Sequence, residues 1–303
     1  MPHSLPPLRI ILVRHGQTDH NKAGIIQGQT DIPLNDEGRR QARDCGNKIR
    51  GILNGRSESP AVDRDISGSD RSRNGPTDTN RSNDTNTETP NDTNTSNDTN
   101  ALNDTPGDAP NTDWDPRNPF NGPISAVYTS DLKRCVETTD IILEAAGIDI
   151  KASRTPLLRE RFMGELENKP AAEGRQRCRE ENRHWDSFGE SNVHMVERLS
   201  KQWDTIVSRG LEEQQGTVLV LTHGGCITRF TNYLVNEMQP EPFALSSLIS
   251  VETLRSPQNT SFTVFDIDRN TFQGTLQVFA DISHLDGVEK RVFNADEHVP
   301  GRW

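Results

Sequence analysis

Five side chains in this sequence could do acid–base and anion chemistry in concert: Arg14, His15, Arg134, Glu160 and His223. "RIILVRHGQTDHN" (9–21) runs from apolar residues into Arg14-His15-Gly16, and "LVLTHGG" (219–225) repeats the arrangement with His223 ahead of Gly224-Gly225. "SDLKR" (130–134) supplies a second cation, Arg134, and "LLRERFMGELE" (157–167) offers Glu160 between Arg159 and Arg161. Gly16 would let backbone N–H groups approach a ligand closely. A lone Arg-His-Gly triplet has a plain alternative, a surface Arg and His capping a strand. The second His-Gly, together with a cation and a carboxylate each placed after a strand, favours one shared pocket.

Those side chains need a frame, and hydrophobic periodicity supplies it. "LRIILV" (8–13), "ISAVYTS" (124–130) and "GTVLVLTHGG" (216–225) read as buried strands. "SFTVFDID" (261–268) and "TLQVFAD" (275–281) read as a closing hairpin. A helix is predicted over 35–53, capped by Asn35 or Asp36, with Ala42, Cys45, Ile49 and Ile52 near one face. Further helices are predicted over 131–147 (capped by Ser130, stopped by Gly147), over 191–209, and through "CITRFTNYLVN" (226–236). Strands alternating with helices predict a three-layer α/β/α sandwich with a mainly parallel sheet. In such sheets function collects beyond the carboxyl ends of the strands, where His15 and His223 fall.

The apolar fraction of 31 % is low, and residues 54–120 account for it. An Asn-Asp-Thr-Asn unit recurs there, and a segment this polar cannot offset the entropy of ordering it. We expect one domain over 1–303, interrupted by a disordered low-complexity insertion at about 54–120, with Trp114 and Phe120 touching the domain where the chain re-enters it. Six Arg and thirteen Asp or Glu place −7 of the net charge of −11 in the insertion. The acidic balance gives no support to nucleic-acid binding. No run approaches the length of a membrane span, and "MPHSLPPLRI" lacks a signal-peptide core, so a cytoplasmic protein is expected. Asn-x-Ser/Thr triplets in the insertion are then by-products of its repeat. Four widely spaced cysteines without a Cys-x-x-Cys pair read as reduced thiols.

The motifs "RHGQTDHN" (14–21), "QGQTDIPLNDEGRRQA" (27–42), "YTSDLKRCVETT" (128–139), "LLRERFMGELE" (157–167), "THGG" (222–225) and "NTSFTVF" (259–265) occur in an order that resembles the histidine phosphatase superfamily, the phosphoglycerate-mutase-like fold. The likeness is greatest to its fructose-2,6-bisphosphatase-like phosphatase branch. That resemblance implies a phosphatase with His15 as nucleophile, Arg14, Arg134 and His223 lining the phosphate pocket, and Glu160 as proton donor. It implies substrate contacts from Asn21, Gln27, Gly28 and Gly224, with Thr222 and Thr260 near the pocket wall. The implied substrate is a small phosphorylated metabolite, and no cofactor is implied. The chemistry agrees. Phosphoryl transfer needs an in-line nucleophile and positive groups on the non-bridging oxygens. A neutral imidazole can form a phospho-enzyme, and Arg forks grip two phosphate oxygens. His184 and His194 lie near Cys178, but at no common metal-ligand spacing.

Two alternatives accompany this reading. A glycolytic mutase would share the pocket, yet its pattern has Asn after the second His-Gly, where this chain has Gly225, and Ala171 stands where its lysine would, Lys169 being out of register. Phe162 and Met163 likewise replace its polar and aromatic groups. An inactive binding relative would have lost the nucleophile or the acid, and all five groups are intact. Substrate choice falls to loops 160–190 and 238–258. Arg159, Arg161, Lys169, Arg175 and Arg177 could hold a second phosphate, or could be ordinary solvated charge paired with Glu165, Glu167 and Glu173.

Overall fold

The computed structural model describes residues 5–54, 120, 122–254 and 257–285. The insertion and Trp114 lie outside them. Every described residue belongs to one compact unit drawn from Met1–Ser57 and Asp115–Trp303.

The centre is β1 (Leu8–Arg14), apolar apart from Arg9 and its last residue and buried along its whole length. β4 (Thr217–Thr222) pairs with it in parallel and β6 (Phe262–Ile267) antiparallel. β2 (Ile124–Ser130) continues beside β4, and β3 (Ser153–Thr155) beside β2, all parallel. β7 (Gly274–Asp281) closes the expected hairpin with β6, and the two-residue β5 (Ala244–Leu245) ends the sheet. The order β3-β2-β4-β1-β6-β7-β5 is parallel on the side that carries the chemistry.

Alternation along β1 divides its side chains between two layers. Leu8, Ile10 and Leu12 join Val218 and Val220 in a core with Met195, Leu199, Trp203 and Ile206 of α5 (Asn192–Glu212) and Ile227 and Phe230 of α6 (Gly224–Asn232). Trp203 is its hub, edge-on to Phe230 and Phe265 with centroids 5.6 and 5.4 Å away. The opposite layer is α2 (Asp36–Leu53) against α3 (Lys133–Ala146), packed so closely that a Cβ on Gly46 would meet Ile142 O at 2.6 Å. Asn35 caps α2 and Gly147 ends α3 in the left-handed region, both as expected. Phe120 is buried, edge-on to Phe262 at 6.4 Å, where the chain rejoins the unit.

Four local expectations need correcting. α3 begins at Lys133 with Leu132 at its cap position; the Ser130 hydroxyl accepts the Leu132 N–H only at 3.4 Å and lies 2.9 Å from His223 Nε2. The strand predicted over 216–225 stops at Thr222, and Gly224 and Gly225 form the first turn of α6. α5 extends past Arg209 to Glu212. Loop 160–190 contains a helix, α4 (Ala171–Glu180), over its own small core of Ile26, Met163, Leu166, Ala171, Trp185 and Phe188. A short α1 (Asp19–Ala23) follows β1, closed by a capping box from Thr18.

Candidate active site

Register builds the site. Arg14 lies opposite Thr222 in the parallel β1–β4 pair, so the next residue of each strand emerges beside the other. The His15 N–H donates to Thr222 O at 3.0 Å, and the His15 and His223 rings stand 5.2 Å apart.

His15 Nδ1 lies 2.7 Å from Gly16 O. A carbonyl can only accept, so Nδ1 carries the proton and Nε2 keeps its lone pair. Burial, followed by the charges of Arg134 and Arg14, holds this imidazole well below its usual range, and the Gly16 carbonyl opposes them more weakly. His15 is therefore neutral and basic at the nitrogen that points away from its own backbone.

Arg134 is fully buried on the first turn of α3. Its Nη1 donates to Thr30 O and its Nη2 to Gly28 O, both at 2.8 Å, which ties loop 27–30 to the guanidinium. Its Nε donates to His223 Nδ1 at 3.2 Å. His223 then carries its proton on Nε2, 2.9 Å from Ser130 Oγ. Burial first, then Arg134 and His15, push the His223 imidazole well below its ordinary value. Arg14 is also buried, with Nη1 on Pro257 O at 2.7 Å. Two fixed cations and two neutral imidazoles give the pocket a positive field.

Glu160 is 2 % exposed. Its Oε2 accepts the Gly225 N–H and its Oε1 the Arg161 N–H, each at 2.9 Å. Asn21 and Gln27 gather round Thr18: Asn21 Oδ1 accepts the Thr18 N–H at 3.1 Å, and the Thr18 hydroxyl lies 2.8 Å from Gln27 Oε1. Asn21 Nδ2 is buried without a hydrogen-bond partner among the described residues. Gly28 has φ +51, and a Cβ there would meet Glu167 Oε1 at 2.2 Å, so its contact is with a carboxylate that also accepts the Gln29 N–H. Gly224 opens α6 behind His223. The predicted residues are thus brought together on the carboxyl side of β1, β2 and β4.

Some details differ from expectation. The Gly16 N–H donates to Thr138 Oγ1 at 2.9 Å, and a Cβ on Gly16 would meet Gly38 O at 2.5 Å. Gly16 is therefore small so that the loop can approach α2. The loop cations are paired, though only partly as predicted. Arg177 meets Glu165 and Lys169 meets Glu173, but Arg159 takes Asp131 in two 2.7 Å bonds and Arg161 takes Asp186. Glu167 accepts backbone N–H groups of Gln29 and Met163 instead of a cation.

Sequence reasoning overlooked three supports. Thr138 holds Gly16, Ser130 holds His223, and Asn259 Nδ2 donates to His15 O at 2.8 Å. All three sit inside quoted motifs, so their presence was visible while their task was not. Thr260 has φ +58; its N–H donates to Arg14 O at 3.0 Å, and its hydroxyl lies 3.1 Å from His284 Nε2. Among the described residues no group of three His, Cys, Asp or Glu could hold a metal ion, and no helix is long and apolar enough to cross a membrane.

A family model described as "Histidine phosphatase superfamily (branch 1)" matches residues 10–56 and 120–278. "Probable phosphatase C1687.21" of Schizosaccharomyces pombe is 27 % identical over 282 residues, 93 % of this chain and 97 % of that protein. "Broad-specificity phosphatase YOR283W" of Saccharomyces cerevisiae is 23 % identical over 92 % of this chain and 87 % of its own length. Among solved structures, a phosphoglycerate mutase from Bacillus anthracis str. Sterne superposes with a TM-score of 0.58 at 16 % identity, covering 92 % of this chain and 95 % of that one, a likeness of fold.

Proposed function

This chain belongs to the histidine phosphatase superfamily (branch 1) and is a phosphatase of that family, and we propose that it hydrolyses small phosphomonoesters through a phosphohistidine on His15. The observation that carries the proposal is the neutral His15, protonated on Nδ1 and unprotonated on Nε2, beside two buried arginines, Arg14 at the end of β1 and Arg134 on the first turn of α3.

The reaction runs in two displacements. His15 Nε2 attacks phosphorus, the N–P bond forms, and the P–O bond to the alcohol breaks. Arg14 and Arg134 bind the non-bridging oxygens, where charge sits in the transition state. Glu160 gives its proton to the departing alkoxide. A water molecule then attacks phosphorus, its proton passes to the Glu160 carboxylate, and the N–P bond breaks to free His15 and inorganic phosphate. Asn21, Gln27, Gly28, Gly224 and His223 complete the pocket in this reading.

Hydrolysis is favoured over mutase transfer by Gly225. A Cβ there would meet Glu160 Oε1 at 2.5 Å, so the asparagine of the mutase pattern would displace the acid of this chain. Arg159, Arg161, Lys169 and Arg177 are committed to acidic partners, which supports a monoester, sugar phosphates included, over a bisphosphate held at two points. A relative named a broad-specificity phosphatase supports a phosphatase of this kind without fixing its substrate. We also infer one catalytic domain interrupted at about 54–120, where the family match pauses. Four free cysteines suit the cytoplasm.

The test is phosphate release from a panel of phosphosugars, phosphoglycerates and phosphoserine with a chelator present. Release by wild type but not by His15→Ala is expected. Silence from both across the panel, or release that the chelator abolishes, would overturn the proposal.

A further inference from the structure

Four consecutive carbonyls, Leu157 to Glu160, come out of a single 3-10 turn and the residues behind it, and each is taken by a side chain from elsewhere. The inner two go to neighbours of His223: Thr222 Oγ1 donates to Leu158 O at 2.9 Å and Cys226 Sγ to Arg159 O at 3.0 Å. The outer two share one residue, Glu160 O accepting from Gln29 Nε2 at 3.2 Å as well. Arg198, from α5, donates Nη1 to Leu157 O at 2.8 Å and Nη2 to Glu160 O at 3.2 Å.

The same guanidinium grips Glu190 with Nε on Oε1 at 2.6 Å and Nη2 on Oε2 at 2.8 Å. The Glu190 N–H in turn donates to Phe162 O at 2.7 Å. Both side chains of the pair are only 14 % exposed. A buried ion pair is a weak source of stability, because desolvation offsets its attraction. It is a strong source of geometry, since a planar fork with five donors fixes four acceptors at once. Arg198 thus holds the carbonyls of Leu157 and Glu160 directly, and through Glu190 the carbonyl of Phe162 beyond them.

We propose that Arg198, neutralised by Glu190, is a positioning residue for proton transfer: it fixes the backbone of residues 157–162 so that the Glu160 carboxyl group meets the departing oxygen. The proposal rests on the reading of Glu160 as proton donor. Arg198 itself touches neither substrate nor reacting atoms. A lysine would keep the charge but could not reach both carbonyls and both carboxylate oxygens.

A positioning role for the acid has a signature that mere stabilisation lacks. Alkyl phosphates expel a basic alkoxide that needs the proton; p-nitrophenyl phosphate expels a weak base that does not. The experiment measures kcat/KM, which reports transfer to His15, on the full chain across that leaving-group series for wild type, Glu160→Gln, Arg198→Lys and Arg198→Met. Arg198→Lys should lose about 10- to 100-fold on alkyl phosphates and less than about threefold on p-nitrophenyl phosphate, with Glu160→Gln steeper in the same sense. Should Arg198→Met fail to fold, Arg198→Lys alone decides. If Glu160→Gln steepens the dependence while Arg198→Lys loses equally on all substrates, or loses nothing, the positioning role is overturned and the donor reading stands. If Glu160→Gln leaves the dependence flat, the donor reading falls and takes this proposal with it.

Discussion

The strand-end cluster and the 160–190 segment lie side by side and are built on opposite terms. In the cluster, Arg14, His15, Arg134 and His223 are all at most 2 % exposed, and their partners are mostly backbone carbonyls and short hydroxyls of the sheet ends. In the neighbouring segment Arg161 is largely buried against Asp186, but the outer cations stand at the surface and pair with flexible acids: Arg177 with Glu165 and Glu181, Arg183 with the same two, Lys169 with Glu173. A chain can hold a phosphate rigidly with the first arrangement. The second, resting on a core of six buried residues, can change its outer charges without disturbing the first. On the proposed reading, the groups assigned to phosphate chemistry are thereby stiffer than the segment assigned to substrate choice.

That contrast can be broken most forcefully at Arg134. Arg134→Lys keeps a positive charge but cannot reproduce the three bonds to Gly28 O, Thr30 O and His223 Nδ1. We expect kcat/KM to fall by about 10²- to 10³-fold in a phosphate-release assay. Retention of near wild-type activity would mean the guanidinium is ornamental. Gly225→Ala tests how tightly the acid is seated. Its methyl group would meet Glu160 Oε1 at 2.5 Å, and a displaced acid should cost about 10- to 100-fold on alkyl phosphates.

Acid pH offers a milder probe of the buried cluster. His15, His223 and His284 are held neutral in the fold below their ordinary pKa, His284 down to about 4, chiefly by burial. An unfolded chain would protonate them near pH 6.5, so it binds more protons than the fold below that pH. Their contribution is complete above about pH 6.5 and is lost as pH falls toward the folded values, by up to about 1.4 kcal/mol per pH unit for each histidine. Melting temperatures measured from pH 7 to pH 4.5 should therefore drop, and His284→Gln should flatten the slope. The smallest effect belongs to the outer segment. Arg177→Ala breaks exposed ion pairs and should leave both melting temperature and kcat/KM close to wild type, as melts and kinetics on one preparation would reveal.

The parts legible in the sequence were those that local chemistry determines. Strand ends bearing His15 and His223, the Asn35 cap and the Gly147 stop follow from periodicity and cap preference. Parallel pairing of β1 with β4 then makes the two histidines neighbours, which no single motif contains. Ser130 was misread because a serine before a helix is a good cap in isolation; only the fold reveals His223 competing for it. At Gly16 the sequence carries no sign of a second demand on its size, the close approach of Gly38 in α2. Arg198 carried no local signal at all: one arginine on an amphipathic helix, whose partners lie at residues 157, 160 and 190.

The most direct test of the central claim is to catch the intermediate. Wild-type protein mixed with substrate and quenched in alkali, where phosphohistidine survives, can be mapped by peptide mass spectrometry. The account predicts one phosphorylated histidine, His15, formed and discharged at the rate of turnover. Phosphate on any other residue, or full turnover with no phospho-enzyme at any time, would contradict it.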